Sequence, residues 1–385
     1  MVNTMAPALQ NRSIGKIHRA VVKVGSGIIA AEGVLRLDAV ERLAGDVMAL
    51  RENGVQVLMV VSGAVAGGYR DLGCPKPPTL VVERQAAASI GQYKLMSHFA
   101  AAFGKYGVNV AQLLMTEDDI ENRRRFISAR HTMNMLLERG VVPIINENDP
   151  LADDEAKVGD NDHLAALITN ISTSELLIIL SSVAGVYRNK EQGEVIHDVA
   201  VNDHLVEHIS TNRTATGVGG MTAKVSAAKL ASRWGVPTII ADGATAGLLP
   251  RIVSGEPIGT MFHPGRDRLS SRKRWIAIRH KSRGTIHVDD GAHKAIVERG
   301  ASLLPAGITN VDGDFAIGAR VNIVNGQGQV FAVGLVSYAA GEIKRMQGHT
   351  KADYEKVLGY KYVDEIIDRD DLVLMTRDEI KEIDE

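Results

Sequence analysis

Apolar residues along the first two-thirds of the chain follow two alternating rhythms. Ala20–Val24 and Val55–Val61 are nearly continuous, Val-rich runs, as expected of strands covered on both faces in a parallel sheet. Val108–Met115, Val141–Ile145, Leu176–Leu180 and Val236–Ala241 repeat the pattern. Between them, Leu37–Glu52 and Arg84–Tyr106 carry apolar residues at helical spacing and stop near Gly54 and Gly107, good helix terminators. Met221–Trp234 reads as a further helix. Strand–helix–strand repetition predicts right-handed crossovers and an α/β fold, a three-layer αβα sandwich around a mostly parallel sheet. Ligands of such sheets sit beyond the carboxyl ends of the strands, so polar motifs there are the candidates for function.

After about Pro264 the rhythm changes. Arg266–Arg283 is basic and poorly periodic, and short β alternations broken by glycine follow at Thr285–Val288, Ala319–Val324 and Val330–Tyr338. Asp312-Gly313 and Asn325-Gly326 read as turns between them. The expected organisation is an α/β domain over 14–265, a basic linker over 266–283, a small β domain over 284–364 and a charged tail over 365–385.

Composition narrows the setting. A hydrophobic share of 45% is ordinary for a globular protein, and no apolar run approaches the roughly 20 residues needed to span a bilayer. Met1–Arg19 lacks the apolar core and cleavage site of a secretory signal. Cys74 is the single cysteine, so no intramolecular disulfide or cysteine-rich zinc site is possible, and a reducing cytoplasmic location is expected. A net charge of −2 argues against nucleic acid as the main partner of the whole chain.

Five polar segments lie where a ligand would. Lys23 precedes Gly25-Ser26-Gly27 at the end of the first strand. The glycine spacing matches a dinucleotide fingerprint, but the second strand ends in Ser62-Gly63-Ala64 without the acidic residue that would hold a ribose. A lysine there suits a polyphosphate instead. Ser62 and the backbone after it could bind an anion at a helix start. Asn146-Glu147-Asn148-Asp149 follows the fourth apolar run, and Lys157-Val158-Gly159-Asp160-Asn161-Asp162 opens a helical stretch shortly after. Gly217-Val218-Gly219-Gly220-Met221-Thr222-Ala223-Lys224 leads into a helix, with glycines that let backbone approach phosphates, although it is not a Walker A sequence. Each motif alone has a plain structural reading: a tight turn after an edge strand, a serine cap, an Asx-rich turn, a capped helix, a surface lysine on a loop. Together they supply two lysines on phosphate-like loops, an acidic organiser and an acid/amide pocket, which is the composition of a phosphoryl-transfer site.

These residues, in this order, resemble the amino-acid kinase superfamily and, within it, the glutamate 5-kinase family. Asp289-Gly291-Ala292 and Gly300–Ile308 look like a PUA domain, a small β barrel, and the two together are the arrangement of many bacterial members. The resemblance implies that Lys23, Asp162 and Lys224 are catalytic, the lysines contacting ATP phosphates and Asp162 holding both. It implies that Ser62, Asn146, Asp149 and Asn161 bind L-glutamate. It places Lys23, Gly25, Ser181, Ser182, Val218, Gly219, Gly220, Met221, Thr222, Ala223 and Lys224 around the nucleotide. It implies no protein-held metal, with Mg2+ carried on phosphate oxygens and water. It further implies a homo-oligomer, feedback inhibition by proline, and handover of the product to glutamyl phosphate reductase. Family members usually carry Thr-Asp where this chain has Ser181-Ser182, and a threonine where it has Val218, so nucleotide contacts differ there. The expected reaction is phosphorylation of the γ-carboxylate of glutamate, the first step of proline biosynthesis. A carboxylate with a pKa of about 4.3 is already ionised and needs no general base, so His163 is read as helix surface or packing. Three alternatives stay open: a sister enzyme acting on another carboxylate or phosphate acceptor, an NAD-dependent oxidoreductase, and an RNA-binding regulatory protein using the PUA-like module and the basic stretch.

Overall fold

The computed structural model describes residues 11–116, 119–120, 122–151, 161–188, 193–200, 220–265 and 282–375. The chain divides into two compact units, Met1–Ile120 with Ala129–Arg268 and Glu121–Ser128 with Leu269–Glu385.

The first unit is built on an eight-stranded sheet. In chain order its strands are β1 (Arg19–Val24), β2 (Gln56–Val61), β3 (Val110–Met115), β4 (Val142–Glu147), β5 (Leu176–Ser181), β6 (Asp198–Val199), β7 (Thr238–Asp242) and β8 (Thr260–Phe262). In space they run β3-β4-β2-β1-β5-β7-β8-β6, and every neighbouring pair is parallel except β7 with β8. The chain winds outward from β1 through β2, then returns to lay β5 on the other side of β1. Strand order therefore reverses at β1, which opens a crevice at the carboxyl ends of β1, β2 and β5.

Strand alternation assigns the faces. Val22 and Val24 of β1 join one core cluster with Leu43 and Val47 of α1 (Leu37–Glu52) and Leu95 and Phe99 of α3 (Val81–Gly104). Lys23 therefore points to the opposite face. There it meets α5 (Asn161–Ile171) and α6 (Met221–Arg233). Two boundaries differ instructively from the sequence reading. The long helix begins at Val81 rather than Arg84, because Pro77 and Pro78 block only what lies upstream. Strand β4 runs past Ile145 because backbone, not side chains, makes the ladder: Asn146 and Glu147 pair with Leu114 and Met115.

One contact fixes the long helix closely. Gly68, at the end of α2 (Ala64–Gly68), lies against Gly91 of α3 so tightly that a Cβ on Gly91 would sit 1.8 Å from the carbonyl oxygen of Ala64. Only glycine fits at either position. The next residue along α3, Gln92, is thereby held at a fixed distance from the end of β2.

The second unit has a five-stranded sheet. Its strands are β9 (Thr285–Val288), β10 (Ile308–Asp312), β11 (Arg320–Val324), β12 (Val330–Leu335) and β13 (Leu372–Leu374), ordered β10-β9-β11-β12-β13. Helix α8 (Asp290–Arg299) starts where Asp289 accepts the backbone N–H of Ala292 and stops at Gly300, whose φ of 59° closes it. Buried Tyr338 and Tyr354 donate their hydroxyls to the carbonyls of Val363 and Asp364, which ties the following segment to the core.

One expectation needs correction. The charged tail was placed from 365 onward, but Ile366 and Ile367 are fully buried and β13 pairs with β12. The charges at Asp368–Asp371 are confined to a single turn flanked by apolar residues, and so they do not signal fraying. The turn expected at Asn325-Gly326 is present: Asn325 Oδ1 accepts the backbone N–H groups of Gln327 and Gln329, and the left-handed residue is Gly328. Residues 266–281, most of the expected linker, and 376–385 lie outside the described residues.

Candidate active site

Lys23, Asp162 and Lys224 meet. Lys23 Nζ lies 2.6 Å from Asp162 Oδ1, and Lys224 Nζ lies 3.0 Å from Asp162 Oδ2. The three residues come from the carboxyl end of β1, the start of α5 and the first turn of α6, so the fold, not the local sequence, assembles them. All are buried, at 4%, 1% and 7% exposure. Burial alone would raise the Asp162 carboxyl, but the charges and hydrogen bonds of Lys23 and Lys224 override it and hold the group below the usual carboxylate range. The trio carries a formal net charge of +1 in a desolvated setting, which is an anion site. Helix α6 adds to it: Gly220 is its N-cap and supplies no side-chain cap, and the positive end of the helix lies at this start, where the Ala223 N–H donates to the Gly220 carbonyl at 3.1 Å.

A second cluster spans the ends of β2 and β4. Asn161 Nδ2 lies 3.1 Å from Ser62 Oγ, 2.9 Å from Asn146 Oδ1 and 3.3 Å from the Val61 carbonyl. Asn146 Nδ2 in turn donates to Gln92 Oε1 at 2.7 Å. Three of the four expected substrate residues thus form one hydrogen-bonded group. The fourth, Asp149, opens a 3-10 turn just past β4 and is half-buried. Desolvation pushes its carboxyl up to about 6, against the opposing charge of Arg84 on α3. A cavity of about 630 Å³ opens beside this cluster, lined in part by Gln92, Tyr93, Leu114, Glu147 and Asp149. It borders the acid/amide cluster, not the lysines.

The remaining expected residues are placed as follows. Gly25 ends β1 and donates its backbone N–H to the Leu180 carbonyl at 3.2 Å; a Cβ there would press on the same oxygen. Ser181 is buried at the end of β5, where its carbonyl accepts the N–H of Gly243, and Ser182 beyond it is exposed. Gly220, Met221, Thr222 and Ala223 form the start of α6. Val218, Gly219, Lys157 and Asp160 lie outside the described residues. Ser62 begins no strong helical anion site, because α2 has five residues and Gly63 enters it at φ 107°. The sequence reading missed Gln92 and Arg84. Neither stands in a motif, and only their long-range neighbours reveal them. Among the described residues no group of three or more His, Cys, Asp or Glu could hold a metal ion, and no helix is long and apolar enough to cross a membrane.

Fold and site together define an α/β protein with a buried lysine pair on one carboxylate at the switch point of its sheet. Residues 18–242 match the Amino acid kinase family, and residues 284–358 match the PUA domain. The chain is 44% identical over 366 residues to the glutamate 5-kinase of Syntrophotalea carbinolica, covering 94% of this chain and 98% of that one. It is 43% identical over 367 residues to the glutamate 5-kinase of Trichlorobacter lovleyi, covering 94% and 98%. A solved carbamate kinase from Giardia is similar over 65% of this chain and all of its own, with a TM-score of 0.48 and 16% identity. The chain belongs to the amino acid kinase family, followed by a PUA domain.

Proposed function

We propose that the chain transfers the terminal phosphoryl group of ATP to the γ-carboxylate of L-glutamate, releasing ADP and glutamyl 5-phosphate. The observation that carries this reading is the pair of buried lysine ammonium groups on one buried carboxylate, in a chain whose full-length relatives are glutamate 5-kinases. A γ-carboxylate oxygen attacks the terminal phosphorus, a new O–P bond forms, and the bond to the ADP oxygen breaks. No proton moves, so no base is required. The obstacle is repulsion between two anions, and Lys23, Lys224 and the positive end of α6 offset it by stabilising charge on the phosphoryl oxygens. Asp162 is already shared between two ammonium groups, so it is not available as a metal ligand. Magnesium would therefore arrive on the phosphate oxygens of the nucleotide.

On this reading Ser62, Asn146, Asn161 and Asp149 hold the amino acid, with Asp149 as the anion facing its ammonium group. That role gives a pH dependence with a definite sign. The free Asp149 carboxyl keeps its proton up to about 6. An ammonium ligand favours the ionised form, so binding must expel that proton at lower pH. The KM for glutamate should therefore rise below pH 6, by about tenfold per pH unit at most, while Asp149→Asn shows a raised but flat KM. Initial-rate kinetics from pH 5 to 8 check it, and a wild-type KM that does not change below pH 6 would count against the assignment. The same shift acts on stability in the opposite sense to a paired carboxylate. An unfolded aspartate releases its proton near 3.9, so this group makes folding less favourable as pH rises from about 4 to 6.

The test of the whole reading is ADP release with a panel of amino acids, trapping the acyl phosphate with hydroxylamine. Glutamate should be the preferred acceptor; preference for N-acetylglutamate, aspartate or carbamate would replace it. We assign the catalytic module to residues 14–265, a linker to 266–283 and the PUA module to 284–375, the last boundary moved to include β13. From the family resemblance we also propose a cytoplasmic, self-associating enzyme that proline inhibits and that passes its labile product to a reductase. Sedimentation tests self-association, a proline titration tests inhibition, and coupled turnover with the reductase tests the handover.

A further inference from the structure

Gln92 on α3 is buried, at 9% exposure, and belongs to none of the motifs that mark the site. Its contacts give it a role. Two backbone groups fix the direction of every hydrogen bond in the amide cluster. The Glu147 N–H donates to Asn146 at 2.9 Å, so the Asn146 atom on that side must be its oxygen. The Val61 carbonyl accepts from Asn161 at 3.3 Å, so the Asn161 atom on that side must be its nitrogen. Asn146 Oδ1 then accepts from Asn161 Nδ2, and Asn146 Nδ2 is left to donate, which it does to Gln92 Oε1 at 2.7 Å. The polarity leaves Asn161 Oδ1 as a buried acceptor without a partner among the described residues, the group an ammonium ligand would seek.

We propose that Gln92 is a positioning residue for the amino-acid substrate: by accepting from Asn146 it locks that amide, and through it keeps Asn161 turned with its oxygen toward the substrate's ammonium group. This rests on the substrate reading given above. Gly91 supports it physically, because its close approach to Ala64 sets the height of Gln92 over the strand ends. Gln92 also shares a cavity wall with Asp149, the other acceptor assigned to the ammonium group.

The test compares Gln92→Met with Gln92→Glu. Methionine is nearly isosteric and favours helices, so it keeps the packing while removing the acceptor. Glutamate keeps an acceptor oxygen at the same reach. Loss of one buried hydrogen bond predicts a KM for glutamate raised about tenfold in Gln92→Met, with kcat and the KM for ATP within about twofold of wild type. Gln92→Glu should bring the KM back to within about threefold. A KM unchanged in Gln92→Met overturns the proposal. So does equal impairment of both variants, or a parallel loss of kcat and ATP affinity, since a merely structural role would give those. Absence of glutamate turnover in the wild-type protein would instead remove the substrate reading on which the proposal stands.

Discussion

Replacing Lys224 by alanine is expected to lower kcat by about 10³-fold while glutamate still binds. The split follows from the geometry. Lys224 enters the cationic site from α6, 3.0 Å from Asp162, whereas the amide cluster proposed to hold the amino acid is built from the ends of β2 and β4 and the start of α5. Removing one ammonium leaves Asp162 paired with Lys23 at 2.6 Å, so the fold is not left with an orphaned buried carboxylate. What is lost is a charge that matters most when the phosphoryl oxygens are most negative, and that appears in kcat more than in substrate affinity. Single-turnover kinetics and calorimetric titration with glutamate separate the two effects. Near-normal turnover in Lys224→Ala would remove the lysine from the mechanism.

Asp162→Asn should behave differently and damage the fold as well. Asp162 is the partner of two buried ammonium groups, and removing its charge takes from both the carboxylate they share. Breaking a buried pair in this way costs about 3–5 kcal/mol. The pH signature separates this from a packing defect. Because the folded carboxyl is held below its unfolded value of about 3.9, its contribution is fully present above that value and fades as pH falls through the folded one. Wild-type stability should therefore drop on acidification in part through this group, and Asp162→Asn should be weakened at neutral pH with a shallower acid limb. Urea denaturation followed at several pH values measures both. A loss below about 1 kcal/mol at pH 7 would mean that the ammonium groups find other anions.

The sheet was legible in the sequence because its strands are buried on both faces, so runs such as Val55–Val61 and Leu176–Leu180 need no partner to be recognised. Helix α1 was legible because its apolar stripe and its terminator, Gly54, agree. The meeting of Lys23, Asp162 and Lys224 was not legible from pattern. They stand on segments that share no periodicity, and only the order of motifs shared with a known family brought them together. Gln92 escaped even that route. A glutamine in an amphipathic helix looks like solvent-facing filler until β4 is seen to reach under it. The raised carboxyl of Asp149 is likewise a property of its surroundings, since burial beside α3 is not written in the residues next to it. The β13 strand was missed for the reverse reason: a run of acidic residues masked the short apolar segment that follows.

Lysine ammonium groups ride on long stems with many rotamers, and alone they make imprecise tools. Here both are tethered to the two oxygens of one planar carboxylate, so the gap between them is set by a rigid group a few atoms wide. The spacing of the pair is thus fixed before any oxyanion arrives. Most of the disorder that two free lysines would surrender on gripping a ligand has already been given up when the chain folds.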